Sequence, residues 1–168
     1  MPLKIKEENV EIVYTYKYLG NIIDDKLTGS NNVDNLVKKA NKKMYFLRKL
    51  KSLRVSKSIL SMFYRCVVES NLSFCISNWF NLCSASDKKK IFRIIHCAKR
   101  LGCDVTDINI IYKKALTTKC AKIIKNTTHP LNNKFVMLPS QHRLRSIPSS
   151  SNRFRNSFVL SAIRSYVK

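Results

Sequence analysis

Between residues 33 and 47 the apolar side chains Val33, Leu36, Val37, Ala40, Met44 and Leu47 recur at steps of three and four. At about 100° per residue they share one face, so the spacing predicts an amphipathic helix beginning near Ser30, its candidate cap. The other face limits the fold further. Lys38, Lys42 and Lys49 lie nearly opposite the apolar stripe, Lys39 and Lys43 flank it, and the run "KKANKKMYFLRKLKSLR" has no acidic residue. A lysine face is ordinarily just solvated, but like charges one turn apart repel unless something offsets them. Such a helix needs an apolar layer on one side and a counter-charge from outside itself on the other.

The rest of the chain supplies the layer. A second helix is expected from near Ser56, with Ile59, Leu60, Phe63, Val67 and Val68 as core candidates. The mostly apolar "SNLSFCISNWFNLC" reads as a buried helix in mid-bundle, and Trp79 within it as core rather than a base-stacking platform. A third helix has Ser86 as cap, Asp87 in its first turn and Gly102 just past its end. Its apolar face is Ile91, Ile94, Ile95, Ala98 and Leu101. A fourth runs from Thr106 to about Asn126 through Ile108, Ile111, Tyr112, Leu116, Ile123 and Ile124.

Ahead of the helices, Ile12, Tyr14, Tyr16 and Tyr18 alternate at period two, and Gly20 and Asp24-Asp25 punctuate the run. Two strands alone are marginal in water, so this hairpin packs on the helices or on a sheet outside the chain. Beyond Asn126, "TTHPLNNKFVMLPSQHRLRSIPSSSNRFRN" reads as an extended or partly disordered arm, closed by a short amphipathic helix, "SFVLSAIRSYVK". The expected class is mainly α. Residues 1–28 form a β-hairpin, 29–126 a helical bundle, and 127–168 an extended basic arm ending in a short helix.

Charge narrows the function. Against 32 Lys+Arg stand 10 Asp+Glu, a formal +22, and no acidic residue occurs from Ile108 to Lys168. A surplus of this size repels itself in the compact state, and a polyanionic partner relieves it. Nucleic acid is the first candidate, an anionic membrane surface a distant second, and a solubilising charge without a partner the third. Cys66, Cys75, Cys83, Cys97, Cys103 and Cys120 stand singly, and His96, His129 and His142 complete no zinc pattern, so buried reduced thiols are expected. "MPLKIKEENV" has no apolar h-region, and no run is expected to reach the length of a membrane span. A cytosolic or nuclear protein without a membrane partner is the expectation from that reading.

No complete active site can be assembled. Asp24 and Asp25 are neighbours and in an extended segment point to opposite faces, so a turn closing the β segment is favoured over a two-metal site. No GxSxG elbow is present, His96 and Cys97 project about 100° apart, and three glycines cannot build a phosphate-cradling loop. No His is followed two residues later by Asp or Glu, as the two-His-one-carboxylate oxygenases require. There remains a binding surface: helical lysines and arginines with Tyr45, Phe46 and Tyr64 interleaved, suited to gripping a phosphate backbone.

The order "YKYLGNIIDDKL", "NNVDNLVKKANKKMYFLRKLKSLRVSKSILSMFYRCVVESNLSFCISNWF" and "SDKKKIFRIIHCAKRLG" resembles the C-terminal part of LINE-type (non-LTR) retrotransposon reverse transcriptases, nearest to jockey- and Rex-like elements. "HPLNNKFVMLPSQHRLR" and "SNRFRNSFVLSAIRSYVK" fit the end of the same polyproteins, so the likeness covers nearly the whole chain. In that family the catalytic palm lies upstream of the equivalent of Tyr16. Tyr18, Leu19 and Gly20 resemble the primer-grip hairpin, with Gly20 small so that nucleic acid can approach. The helices after it resemble the thumb that clamps template–primer duplex.

By that likeness Lys38, Lys39, Lys42, Lys43, Arg48 and Lys49 are candidate phosphate contacts, joined by Arg143, Arg145, Arg153 and Arg155 of the arm. Gly29 stands where relatives usually carry tryptophan, implying a weaker start to the first thumb helix. Segments of this kind are also labelled as the N-terminal domain of an AlkB-like alkylation-repair homologue, but the residues support neither oxygenase nor methyltransferase chemistry. The resemblance implies a fragment that binds template–primer or element RNA, with RNA, DNA or RNA–DNA hybrid and the missing palm as partners. It implies no catalytic residue, metal or cofactor of its own. The alternatives are a basic helical protein-interaction module and a retroelement relic without selected function.

Overall fold

The apolar repeat at 33–47 becomes α1 (Ser30–Ser52) in the computed structural model, which describes residues 4–5 and 8–166. Val33, Leu36, Ala40, Met44 and Leu47 are all buried along one face, and the protein is mainly helical, as expected. Ser30 lies inside the helix rather than capping it. The N-cap is Gly29 at φ +77°, a left-handed conformation that glycine adopts without strain. A glycine here therefore suits the helix start instead of weakening it.

The next helices carry the core. α2 (Lys57–Phe63) continues into a π-helical segment (Tyr64–Glu69) and then α3 (Ser70–Ser73). α4 (Ile76–Trp79) comes only after a break, because Phe74 turns to an extended ψ and Cys75 sits at φ +49°. The single buried helix expected there is thus two short ones. Trp79 is core, its indole N–H donating to the Phe74 carbonyl at 2.9 Å. Ile59 is exposed, contrary to expectation. α2 is rotated so that Leu60 and Ser61 face inward, where the Ser61 hydroxyl accepts from the Asp104 N–H at 2.9 Å. The 23-residue stretch Lys57–Trp79, with mean hydropathy 1.2 over its most apolar 18 residues, is long and apolar enough to cross a membrane by length and composition. That corrects the sequence expectation. In the fold its Leu60, Tyr64, Val68, Leu72 and Ile76 fill the bundle core.

α5 (Ala85–Arg100) packs along α1, and its cap is Ser84 rather than Ser86. Ser84 Oγ accepts from the Asp87 N–H at 3.1 Å while donating to Asp87 Oδ2 at 2.7 Å, a reciprocal cap. α6 (Ile108–Lys125), capped by Asp107, leads out of the first core into a second. There Leu116, Cys120 and Ile123 meet Phe135, Leu144, Leu160, Ala162 and Ile163, with Tyr112 touching both cores. The C-terminal segment is mostly irregular: a 3₁₀ turn at Asn132–Lys134, a bridge between Met137 and Leu144, α7 (Asn152–Arg155) and α8 (Phe158–Ser165). Though irregular, it is packed on α6, chiefly through α8.

Two small antiparallel pairs stand at the other end: β1 (Lys4–Ile5) with β2 (Glu8–Asn9), and β3 (Thr15–Tyr18) with β4 (Asn21–Asp24). The β3–β4 hairpin packs on the helices of this chain, β4 lying against α1 with the Ile22 N–H donating to Asn32 Oδ1 at 3.1 Å. Of the cysteines, Cys83, Cys103 and Cys120 are buried and Cys97 partly so, but Cys66 and Cys75 are exposed, so the expectation of uniformly buried thiols holds only in part.

Candidate nucleic-acid interface

The lysines read from the α1 pattern separate once the helix is packed. Lys38, Lys42 and Lys49 stand exposed with Tyr45 between them, at helical steps that stack all four on the face away from the core. Tyr45 and Phe46 are 54% and 58% exposed, their rings meeting edge to face at 5.6 Å, and Lys49 Nζ lies 5.8 Å from the Tyr45 ring centroid. The result is a ridge of cations and aromatic faces. Lys39 is exposed on its flank. Lys43 is partly buried, and its ammonium donates to the Val67 carbonyl of the π-helical segment at 2.9 Å, which draws it into the fold and away from the ridge. Arg48 faces the other way, lining the groove between α1 and α5 with Arg93 and Asn41. Arg93 is not marked by sequence pattern, because its membership depends on how α5 is rotated against α1.

Tyr64, expected among the interleaved aromatics, lies in the core at 1% exposure, and burial pushes its hydroxyl pKa well up. Tyr64 stands four residues after Leu60 and four before Val68, both buried, so it falls on the core face and not among the surface aromatics.

The ridge has no acidic counterpart. Among the described residues the ion pairs are Lys57–Asp104 at 2.8 Å, Lys90–Asp34 at 2.7 Å and Lys90–Asp87 at 3.0 Å. Asp34, one turn before Lys38, is the carboxylate best placed to neutralise the ridge, but Lys90 of α5 takes it. Asp87 is buried, and burial alone would raise its pKa. The Ser30 and Ser84 hydroxyls at 2.7 Å each, together with Lys90, outweigh that and hold it below the usual carboxylate value. It ties the starts of α1 and α5 together and offers nothing to the surface.

Asp24 and Asp25 behave as a turn. Asp24 is buried, which by itself raises its pKa, yet hydrogen bonds from the Thr28 N–H at 2.8 Å, the Thr28 hydroxyl at 3.1 Å and the Gly29 N–H at 3.1 Å hold it below the usual value. Asp25 is exposed. Among the described residues no three His, Cys, Asp or Glu side chains converge as a metal site.

The Tyr18–Gly20 segment is the hairpin tip. Leu19 at φ +46° and Gly20 at φ +90° are the two central residues of a tight turn with both dihedrals positive, the type that matches strand twist. Gly20 is required by that dihedral. A Cβ there would meet the Phe74 ring at an ordinary 3.6 Å, so the dihedral and not packing within the chain is what calls for glycine. Leu19 is the unusual residue, left-handed and 75% exposed. Arg143, Arg145, Arg153 and Arg155 are exposed but belong to the second core, whereas α1 packs against α2, α3, α5, β4 and the π-helical segment. The candidate cations therefore form two groups.

A family model described as "Alkylated DNA repair protein alkB homolog 8, N-terminal" matches residues 30–70, which covers α1, α2, the π-helical segment and the first residue of α3. No curated protein matches the chain. No solved structure matches it either.

Proposed function

We propose that this chain binds nucleic acid through the α1 ridge, as the thumb-like and C-terminal part of a LINE-type reverse transcriptase, and performs no polymerisation itself. The carrying observation is the ridge of Lys38, Lys42 and Lys49 around Tyr45, whose nearest carboxylate along the helix is committed to Lys90. Cations without partners, spaced at helical steps and interleaved with exposed rings, suit a backbone of phosphates with bases or sugars against the aromatic faces. The exposed Leu19 tip adds an apolar point on the hairpin, and the arm arginines form a second cationic group. The family-model match falls on the same helices, and its repair label adds no oxygenase residue set to them.

Salt-titrated binding to RNA–DNA hybrid, single-stranded RNA and polyglutamate tests the proposal. With about six to ten phosphates neutralised, affinity falls by roughly three to five decades between ~50 and ~200 mM salt. Replacing Lys38, Lys42 and Lys49 by alanine lowers the salt slope by about three, and hybrid is preferred to the other polyanions. Equal affinity for polyglutamate would move the protein to the class of modules that meet acidic proteins. Nucleotide incorporation on a primed RNA with Mg²⁺ would refute the non-catalytic part.

A further inference from the structure

The arm holds arginines that meet no carboxylate among the described residues. No acidic residue comes after Asp107 in the sequence, and none of Arg143, Arg145, Arg153, Arg155 and Arg164 takes part in an ion pair among the described residues. Two of them converge. Arg155 and Arg164 line a cleft of about 200 Å³ between α8 and the irregular chain before α7, with Ser146 at its wall. Arg164 is held by neutral acceptors alone, Nε donating to the Leu160 carbonyl at 3.2 Å and Nη2 to the Arg155 carbonyl. Its geometry is set while its charge stays unmatched.

Ser146 itself is exposed, in a stretch of residues 145–149 without regular secondary structure. Arg143 and Arg145 stand three and one residues before it, and Pro148 two after it. A serine on exposed, irregular chain behind arginines complements the acidic groove of a basophilic protein kinase, since such enzymes select substrates by charge pattern. The flanking sequence and the folded cleft are independent observations: Ser149 also lines the cleft, but only Ser146 has arginines one and three residues before it. By contrast, at Ser58 the neighbouring Lys57 already has Asp104 as counter-charge, so a phosphate there would find that site taken.

We propose that Ser146 is a phosphorylation site for a basophilic serine/threonine kinase, and that Arg155 and Arg164 clasp the phosphate. Ser146 Oγ attacks the γ-phosphorus of ATP, the bond to the ADP oxygen breaks, and the hydroxyl proton passes to the base of the kinase. The phosphoserine brings about −1.5 to −2 charge and three acceptor oxygens to two guanidiniums that make no ion pair among the described residues.

The test treats the full chain with the catalytic subunit of a basophilic kinase and Mg-ATP, maps the phosphate by peptide mass spectrometry, and tracks it by ³¹P NMR against pH. The expected result is phosphate at Ser146, lost in Ser146→Ala, with its second ionisation below the ~6 of free phosphoserine. Arg155→Gln with Arg164→Gln returns that ionisation to about 6. Ser146→Ala sits on exposed irregular chain, so its loss of signal cannot be a folding failure. Phosphate placed on Ser149, Ser150 or Ser151 in preference to Ser146, or a Ser146 phosphate titrating near 6 in the unaltered chain, would overturn the proposal.

Discussion

The bundle around α1 and α5 and the layer around α6 and α8 both hold irregular chain against helices, but with opposite chemistry. In the bundle, carboxylates do the fastening: Asp24 gathers Thr28 and Gly29, Asp87 joins Ser30, Ser84 and Lys90, and Asp107 caps α6. In the C-terminal layer amide and hydroxyl groups take over. Asn132 Nδ2 donates to the carbonyls of Ile123, Ile124 and Asn126 at 3.0–3.2 Å, closing the end of α6, and Asn81 Nδ2 reaches Ser161 Oγ at 3.0 Å. The difference has a simple origin. Helix N-termini present N–H groups, which carboxylates satisfy, while C-termini present carbonyls, which need donors. A layer fastened by neutral donors keeps its shape without placing a negative charge near an incoming polyanion.

The contrast breaks most sharply at Asp87. Replacing it with alanine removes the acceptor shared by Ser30 and Ser84 at the junction of α1 and α5, while Lys90 keeps Asp34, and is expected to cost about 2 kcal/mol, read as a shift in the urea midpoint. A cost under about 1 kcal/mol would mean that apolar packing, not the carboxylate, joins α1 to α5.

Acid sharpens the comparison next. Asp24 and Asp87 have folded pKa values below their unfolded ones, so their stabilisation is fully present above the unfolded value and is lost as pH falls through the folded one. Glu69 runs the other way. Burial raises its pKa, partly offset by the Thr106 N–H, so it weakens the fold as pH rises toward and past its folded value. Amide exchange measured from about pH 6 down to about pH 3 should therefore show α1 and the start of α5 losing protection first. Protection lost first in α8 would contradict the division.

Within the C-terminal layer, Asn132→Ala removes the donor shared by three carbonyls and is expected to cost about 1–2 kcal/mol without changing the acid response. An acid transition that moves with this variant would tie the two regions into one unit. The smallest effect lies at the hairpin tip. Leu19→Asn relieves a left-handed leucine and should stabilise by about 0.5–1 kcal/mol by thermal melting. A loss of stability would show that the leucine side chain is held by the fold and not merely displayed.

Much of the architecture is readable from spacing. The apolar steps in α1, α5 and α6 and the core position of Trp79 come out of periodicity, because an amphipathic helix must bury its one greasy face. Short polar choices are not readable. Ser84 and Ser86 are both plausible caps two residues apart, and the decision for Ser84 comes from Asp87 reaching back to it while also holding Ser30 from another helix. Ile59 is misplaced for a different reason: the buried stripe runs through Leu60, Tyr64, Val68 and Leu72 at steps of four, with the Ser61 hydroxyl also turned inward to the Asp104 N–H, and this rotation leaves Ile59 outside. Of the candidate site, the ridge on α1 is legible, whereas the withdrawal of Lys43 into the fold and the meeting of Arg48 and Arg93 at one groove are not.

Sequence by itself determined that the chain would be mainly helical, that cations would crowd one face of its longest helix, and that the last third would hold no acid. Those properties reside in residue type and interval, which folding cannot alter. Tertiary structure alone decided which of the few carboxylates meet which cations, because partners such as Asp34 and Lys90 lie far apart along the chain and meet only when α1 packs on α5. That packing leaves the α1 ridge without a counter-ion, since Asp34 is held by Lys90 and Asp87 is buried at the junction of the two helices.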